Sequence, residues 1–207
     1  MTDNLARSLR LMLVTDDDLL GGRDPVAVAE AAVRGGVTSV QLRLKRVSPR
    51  ELLRLAVRLR ERLTVPVIVN DRTDVAACAG TGVHLGPDDL PVTLARAILP
   101  PGALIGASVG TTAEVPNGAE ASYWGVGPWR ETRTKGDAGG ALGEEGFRRI
   151  VALAGSIPCV AIGGIRPEDL AGARAAGAVG LAVSSGLLGA ERIEEAARQY
   201  VEAWGSG

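Results

Sequence analysis

The stretch Ala31-Ala32-Val33-Arg34-Gly35-Gly36-Val37-Thr38-Ser39-Val40-Gln41-Leu42-Arg43-Leu44-Lys45 passes from helix to strand within a few residues. Its alanine-rich start is closed by a glycine pair, as a left-handed helix C-cap requires. From Ser39 to Lys45 polar and apolar residues then alternate with the period of a strand. Gly80 and Gly177 close two further alanine-rich stretches just before β-rich runs. Such runs recur at residues 11–15, 39–45, 67–70, 82–85, 104–108, 123–127, 159–163 and 180–184. Between them lie helical patterns, clearest in Leu52, Ala56, Leu59 and Leu63 and in Ile193, Ala197, Tyr200 and Trp204, each spaced to bury one face. Ser48-Pro49 and Arg166-Pro167 supply helix starts.

Eight βα units in 207 residues average about 26 residues each, close to the minimum for a strand, a helix and two short loops. A closed (β/α)8 TIM barrel of the α/β class satisfies this most economically, because every parallel strand then gains two neighbours and a helical cover. The expected organisation is one compact domain over residues 1–207 without inserted domains. An open doubly wound sheet would carry a Gly-x-Gly-x-x-Gly turn after its first strand, which Val14-Thr15-Asp16-Asp17-Asp18 does not resemble.

Composition narrows the function. With 46% hydrophobic residues, 23% charged residues and a net charge of -1, the chain has apolar material for a core and no basic excess to hold a nucleic-acid backbone. No run of 18 apolar residues exists, and Met1 to Met12 is interrupted by Asp3, Arg7 and Arg10, so a cytoplasmic protein is expected rather than a membrane protein. Cys78 and Cys159 form no CxxC pair and sit in apolar runs, which predicts two buried structural thiols.

In a barrel the chemistry sits at the C-terminal ends of the strands. On the second strand, period two places Ser39, Gln41, Arg43 and Lys45 on one face and Val40, Leu42 and Leu44 on the other. The polar face at the mouth suits a bound anion, or an internal salt bridge to an acidic strand end. Asn70-Asp71 and Asp88-Asp89 provide such ends. Two carboxylates completed by water and substrate oxygens also hold Mg²⁺ beside a phosphate; Asp88-Asp89 would equally start a helix ahead of Leu90-Pro91. The longest connection, residues 128–143, contains Thr132-Arg133-Thr134-Lys135-Gly136, which is either a solvated loop or a phosphate-binding one. The chain has only two lysines among 23 basic residues, Lys45 and Lys135, and both fall in these anion-binding candidates. Gly163-Gly164-Ile165 and Ser184-Ser185-Gly186 end the last two strands, where such barrels bind phosphate or simply pack tightly. His84, the sole histidine, has no Ser, Cys or metal-ligand pattern around it and reads as a hydrogen-bonded barrel residue.

Taken together, the strand ends resemble the thiamine-phosphate synthase family from the first strand to the eighth. The resemblance rests on Gln41-Leu42-Arg43-Leu44-Lys45, Val69-Asn70-Asp71, the Gly82 to Asp89 segment, Gly106-Ala107-Ser108, Thr132 to Lys135, and Ile162 to Ile165. It implies a transferase of thiamine biosynthesis that joins hydroxymethylpyrimidine diphosphate to a thiazole phosphate, carboxylated or not, and releases diphosphate and thiamine monophosphate. It further implies a dissociative, Mg²⁺-assisted reaction. Arg43, Lys45, Lys135 and Ser108 would be catalytic, and the Gln41 to Lys45 segment (Leu42 and Leu44 included), Asn70, Ser108 and Lys135 would hold the pyrimidine diphosphate. Thr132, Arg133, Thr134, Gly164, Ser184 and Ser185 would hold the thiazole phosphate, and Asp71 and Asp89 the Mg²⁺. The partners implied are small phosphorylated substrates, with neither nucleic acid nor membrane and with room for a homo-oligomer.

Five positions depart from the family pattern. Leu44 replaces a glutamate, Pro87-Asp88 stands where Gln-Glu is common, Ser184 where an aliphatic residue is common, and Gly110 where many relatives carry histidine. A related barrel, the thiazole tautomerase, uses a histidine near there for proton transfer. A tautomerase-like isomerase is therefore the second reading, and a phosphate-ligand module without turnover the third.

Overall fold

Eight parallel strands close on one another in chain order: β1 (Leu11–Val14), β2 (Ser39–Leu42), β3 (Val67–Asn70), β4 (Gly82–Leu85), β5 (Ile105–Ser108), β6 (Tyr123–Val126), β7 (Cys159–Ile162) and β8 (Ala178–Val183), which pairs back with β1. The computed structural model describes residues 2–131 and 140–205. Helix α1 (Thr2–Leu9) precedes the barrel; α2 (Asp17–Leu20) and α3 (Pro25–Arg34) follow β1, and α4 (Pro49–Arg62), α5 (Thr73–Ala79) and α6 (Val92–Ile98) follow β2, β3 and β4. After them come α7 (Gly143–Val151), α8 (Leu170–Ala175), α9 (Ser185–Leu188) and α10 (Ile193–Gly205). The expected (β/α)8 barrel is therefore the fold. Among the described residues no helix is long and apolar enough to cross a membrane.

The strand alternation divides the apolar residues into two clusters. Val40, Leu42, Leu44, Val69, Leu85 and Val126 face outward and pack beneath the helices, whose inner stripes include Leu52, Ala56 and Leu59 of α4 and Ala197, Tyr200 and Trp204 of α10. Met12, Val14, Ile68, Tyr123, Val160 and Ala182 fill the barrel interior, together with Leu9 from α1. The inward positions nearer the mouth are polar: Gln41, Asn70, His84 and Ser108. Helix α1 lies outside the βα repeat and plugs the lower end of the barrel, and any Cβ on Gly180 would collide with the Leu9 carbonyl.

The Gly35-Gly36 pair closes its helix as expected, with the left-handed conformation at Gly36, φ +105°, and Gly35 still helical at φ -78°. Three local expectations are corrected. Strand β2 stops at Leu42 instead of Lys45, because the Arg43 amide turns to the Thr15 hydroxyl at 2.8 Å. The element after β5 is a 3-10 helix, Thr112–Gly118, with Pro116 inside it; proline removes the amide an α-helix would need there. Cys159 is buried as expected but Cys78 is exposed, since the buried face of α5 is Val75, Ala76 and Ala79.

Candidate active site

The C-terminal strand ends surround an open cavity of about 520 Å³. From the second strand's exit, Gln41, Arg43 and Lys45 line it, whereas Leu42 and Leu44 point outward into the apolar layer. Any ligand contact by those two leucines would come from their backbone. Both cations already have carboxylate neighbours. Arg43 meets Asp16 at 3.0 Å, with each side chain only 13% exposed, and Lys45, 58% exposed, meets Asp71 at 3.7 Å.

The Asp16 partnership comes from a short acidic run that the sequence reading did not credit with a role at the mouth. Asp16 is the N-cap of α2, accepting hydrogen bonds from the amides of Asp18 and Leu19. Asp17 accepts from the Lys45 amide at 2.8 Å, and Asp18 pairs with Arg46 at 2.5 Å. The β1 exit thus grips the β2 exit along its length. Three acidic residues directly after a strand, in a fold that keeps its chemistry at strand ends, were the available signal.

Asp71 and Asp89 come together across the β3 and β4 exits. Asp71 is the only non-glycine residue with positive φ among the described residues, at +64°, and its amide donates to the His84 carbonyl at 2.8 Å. Aspartate tolerates this conformation better than most residues, and backbone strain of this kind gathers at ligand sites. Asp89 accepts from the Gly86 amide at 2.6 Å. Burial, then the nearby Asp71 carboxylate, pushes the Asp89 carboxyl above its ordinary value, against the opposing pull of the Gly86 amide and Lys45. Two crowded oxygen donors beside this open cavity suit a hard divalent cation that keeps water and substrate oxygens among its ligands. Among the described residues no group of three or more acidic, histidine or cysteine side chains forms a closed metal cage.

At the floor, His84 lies between the Tyr123 hydroxyl, 3.0 Å from Nδ1, and Ser108 Oγ, 3.0 Å from Nε2. It is the hydrogen-bonded barrel residue the sequence suggested. Tyr123 escaped notice, although its inward position follows from the period of β6. Opposite the acidic pair, Gly163 and Gly164 turn with φ +95° and +67°, and Gly164, Ser184 and Ser185 line the cavity. The amides of Trp129 and Arg130 bond the carbonyls of Ile162 and Gly163, and Arg130 pairs with Asp169 at 2.5 Å. These contacts tie the start of the long connection to the end of β7. Thr132, Arg133, Thr134 and Lys135 lie outside the described residues.

Glu114, another residue the sequence reading did not single out, accepts from the amides of Gly110 and Thr111 at 2.6 and 3.1 Å and fixes the turn after Ser108. Thr111-x-x-Glu114 is a capping-box pattern that could have announced it. A Cβ on Gly110 would stand 2.6 Å from the Gly127 carbonyl oxygen, so this backbone has no room for a histidine there.

The sequence profile described as thiamine monophosphate synthase matches residues 11–187. The thiamine-phosphate synthase of Azorhizobium caulinodans is 48% identical over 199 residues, spanning 92% of each chain. That of Moorella thermoacetica is 43% identical over 199 residues, covering 93% of this chain and 94% of the other. Among solved structures, the thiamine phosphate pyrophosphorylase of Pyrococcus furiosus superposes with a TM-score of 0.85 at 33% identity, over 97% of both chains. Phosphoribosyl anthranilate isomerase of Thermotoga maritima, with a TM-score of 0.66 at 19% identity, shares the fold alone.

Proposed function

Because the chain belongs to the thiamine monophosphate synthase family, we propose that it is a transferase that condenses hydroxymethylpyrimidine diphosphate with a thiazole phosphate, giving thiamine monophosphate and diphosphate. The observation that supports this most is the cavity's division of charge. Arg43, Lys45, Asp71 and Asp89 stand on one side, and a turn of small residues, Gly163, Gly164, Ser184 and Ser185, on the other. One bay suits a diphosphate accompanied by a divalent cation, the other a single phosphate.

In this reading Gln41, Arg43, Lys45, Asn70 and Ser108 bind and orient the pyrimidine diphosphate, joined by Lys135. Gly164, Ser184 and Ser185 hold the thiazole phosphate with Thr132, Arg133 and Thr134. Asp71 and Asp89 would hold Mg²⁺, which when bound supplies positive charge to the departing diphosphate. The carbon–oxygen bond to diphosphate breaks, with its electron pair leaving on diphosphate. The thiazole nitrogen then forms the new carbon–nitrogen bond to the methylene carbon. Arg43 and Lys45 stabilise the charge that develops on the leaving group, the kind of contribution worth about 3 kcal/mol per well-placed donor. No general base is required, which agrees with a site whose sole histidine is held by two neighbours. The same two hydrogen bonds and the absence of a side chain at Gly110 leave the isomerase reading without support. The substrates of this step are cytoplasmic metabolites in this reading.

The test is diphosphate release from purified protein given both substrates and Mg²⁺. Asp71→Asn should lower turnover by about a hundredfold while the far-UV spectrum stays unchanged, and chelation of Mg²⁺ should abolish turnover reversibly. Absence of diphosphate release, or full activity of Asp71→Asn, would overturn the assignment.

A further inference from the structure

We propose that Tyr123 is a positioning residue: it fixes which nitrogen of His84 carries the proton and thereby makes Ser108 a hydrogen-bond donor toward the cavity. The Ser108 proton is then free to bond an acceptor on the ligand, such as a ring nitrogen with a free lone pair or a phosphate oxygen. The hydrogen-bond chain stands on the structure of the free protein; only the identity of that acceptor rests on the proposed function.

The barrel interior is shaped around this chain. Tyr123 from β6 and His84 from β4 reach toward each other across β5, with ring centroids 5.6 Å apart, and both are almost fully buried. Gly106 of β5 sits between them, and a Cβ there would overlap His84 Nδ1 and the hydroxyl end of Tyr123. On the other side, a Cβ on Gly125 would stand 3.0 Å from His84 Cε1. Two inward positions are thus left without side chains where the histidine and tyrosine meet.

Neutral imidazole has one N–H and one lone pair, so His84 donates to one neighbour and accepts from the other. In one arrangement Tyr123 O–H donates to Nδ1 and Nε2–H donates to Ser108 Oγ. In the reverse, Nδ1–H donates to the Tyr123 oxygen and Ser108 O–H donates to Nε2. The Tyr123 hydroxyl decides between them. Its hydrogen-bond partner is His84 Nδ1, and it belongs to an apolar shell of the barrel interior that includes Met12, Ile68 and Val160, where the Gln41 amide nitrogen lies 3.7 Å from Met12 Sδ. In the reverse arrangement the tyrosine O–H would be left without an acceptor among the hydrogen bonds of the described residues. An unmade hydrogen bond in such a shell is more costly than the net gain from a made one, so the first arrangement prevails. Ser108 Oγ then accepts from His84, and its own proton is available to the cavity it lines.

A chain with one histidine makes the test unambiguous, because ¹⁵N-histidine labelling gives a single imidazole whose bare and protonated nitrogens are distinguished by NMR. The expected result in the free protein at neutral pH is Nε2 protonated and Nδ1 bare. Tyr123→Phe should populate the other tautomer. It should also lower kcat on the order of tenfold, the worth of one hydrogen bond, with KM for the thiazole phosphate unchanged. A protonated Nδ1 in the wild type, an imidazolium, or a Tyr123→Phe variant with an unchanged tautomer would overturn the proposal. The expected tautomers in a protein that makes no thiamine monophosphate would uphold the chain and overturn the assigned reaction instead.

Discussion

Removing the Asp16 carboxylate should destabilise the protein and do so through two separable effects. Asp16→Ala deletes the N-cap of α2, a loss of about 1 kcal/mol. It also strips Arg43 of the counter-charge it meets at 3.0 Å, both groups being 13% exposed. Breaking a fully buried pair costs roughly 3 to 5 kcal/mol, and the residual exposure here reduces that to about 2 kcal/mol. The total is about 3 kcal/mol, which at a urea slope of about 3 kcal/mol/M moves the unfolding midpoint by about 1 M. Asp16→Asn keeps a capping oxygen and loses only the charge, so its shift should be clearly smaller. Inorganic diphosphate should narrow the gap between Asp16→Ala and wild type, because an anion bound at Arg43 replaces the missing charge in the folded state only. Equilibrium urea unfolding, followed by the fluorescence of the buried Trp124 and Trp129, measures all three. Equal midpoints for Asp16→Ala and wild type, or Asn as damaging as Ala, would refute the reasoning.

Gly106→Ala forces a methyl group into the space shared by His84 and Tyr123 and should lower stability by about 1 to 3 kcal/mol, read as a fall in thermal midpoint; an unchanged midpoint would count against the packing described. Iodoacetamide should label the exposed Cys78 in the native protein and leave Cys159 untouched until denaturant is added, since burial pushes the Cys159 thiol up to about 12; peptide mass mapping separates the two. Burial alone would raise the Asp169 carboxyl, but the hydrogen bonds from Arg130 and the Arg166 amide outweigh it and hold the group below its ordinary 3.8. That stabilisation is complete above the ordinary value and is lost as pH falls through the lower folded value. The stability difference between wild type and Asp169→Asn should therefore shrink on acidification below about pH 4, and a gap that stays constant to lower pH would contradict it.

The barrel was legible because its signals are local. Glycine after an alanine-rich stretch, proline after a helix-starting serine and period-two alternation each act over a few residues, and eight repetitions left one economical closure. Helix α1 and the 3-10 segment at Thr112–Gly118 were not legible as such. The first plugs a barrel end through Leu9, a purely tertiary role, and the second replaces a helix where Pro116 denies it an amide. At the site, Gln41, Arg43, Asp71, Asp89 and Ser108 converge on one cavity, as strand alternation and the strand-end rule imply. The partners that orient them did not declare themselves. Asp16 reads as an ordinary helix cap until the β1 to β2 register brings it to Arg43. Tyr123 reads as core until the glycines beside it reveal the space it shares with His84. Such pairings depend on which strands are neighbours, and spacing along the chain does not encode that.

The most direct test of the account is product identification. Purified protein incubated with hydroxymethylpyrimidine diphosphate, the thiazole phosphate and Mg²⁺ should yield thiamine monophosphate and diphosphate in equal amounts, detected by mass spectrometry and a coupled diphosphate assay. Consumption of neither substrate, or isomerisation of the thiazole alone without diphosphate release, would contradict it.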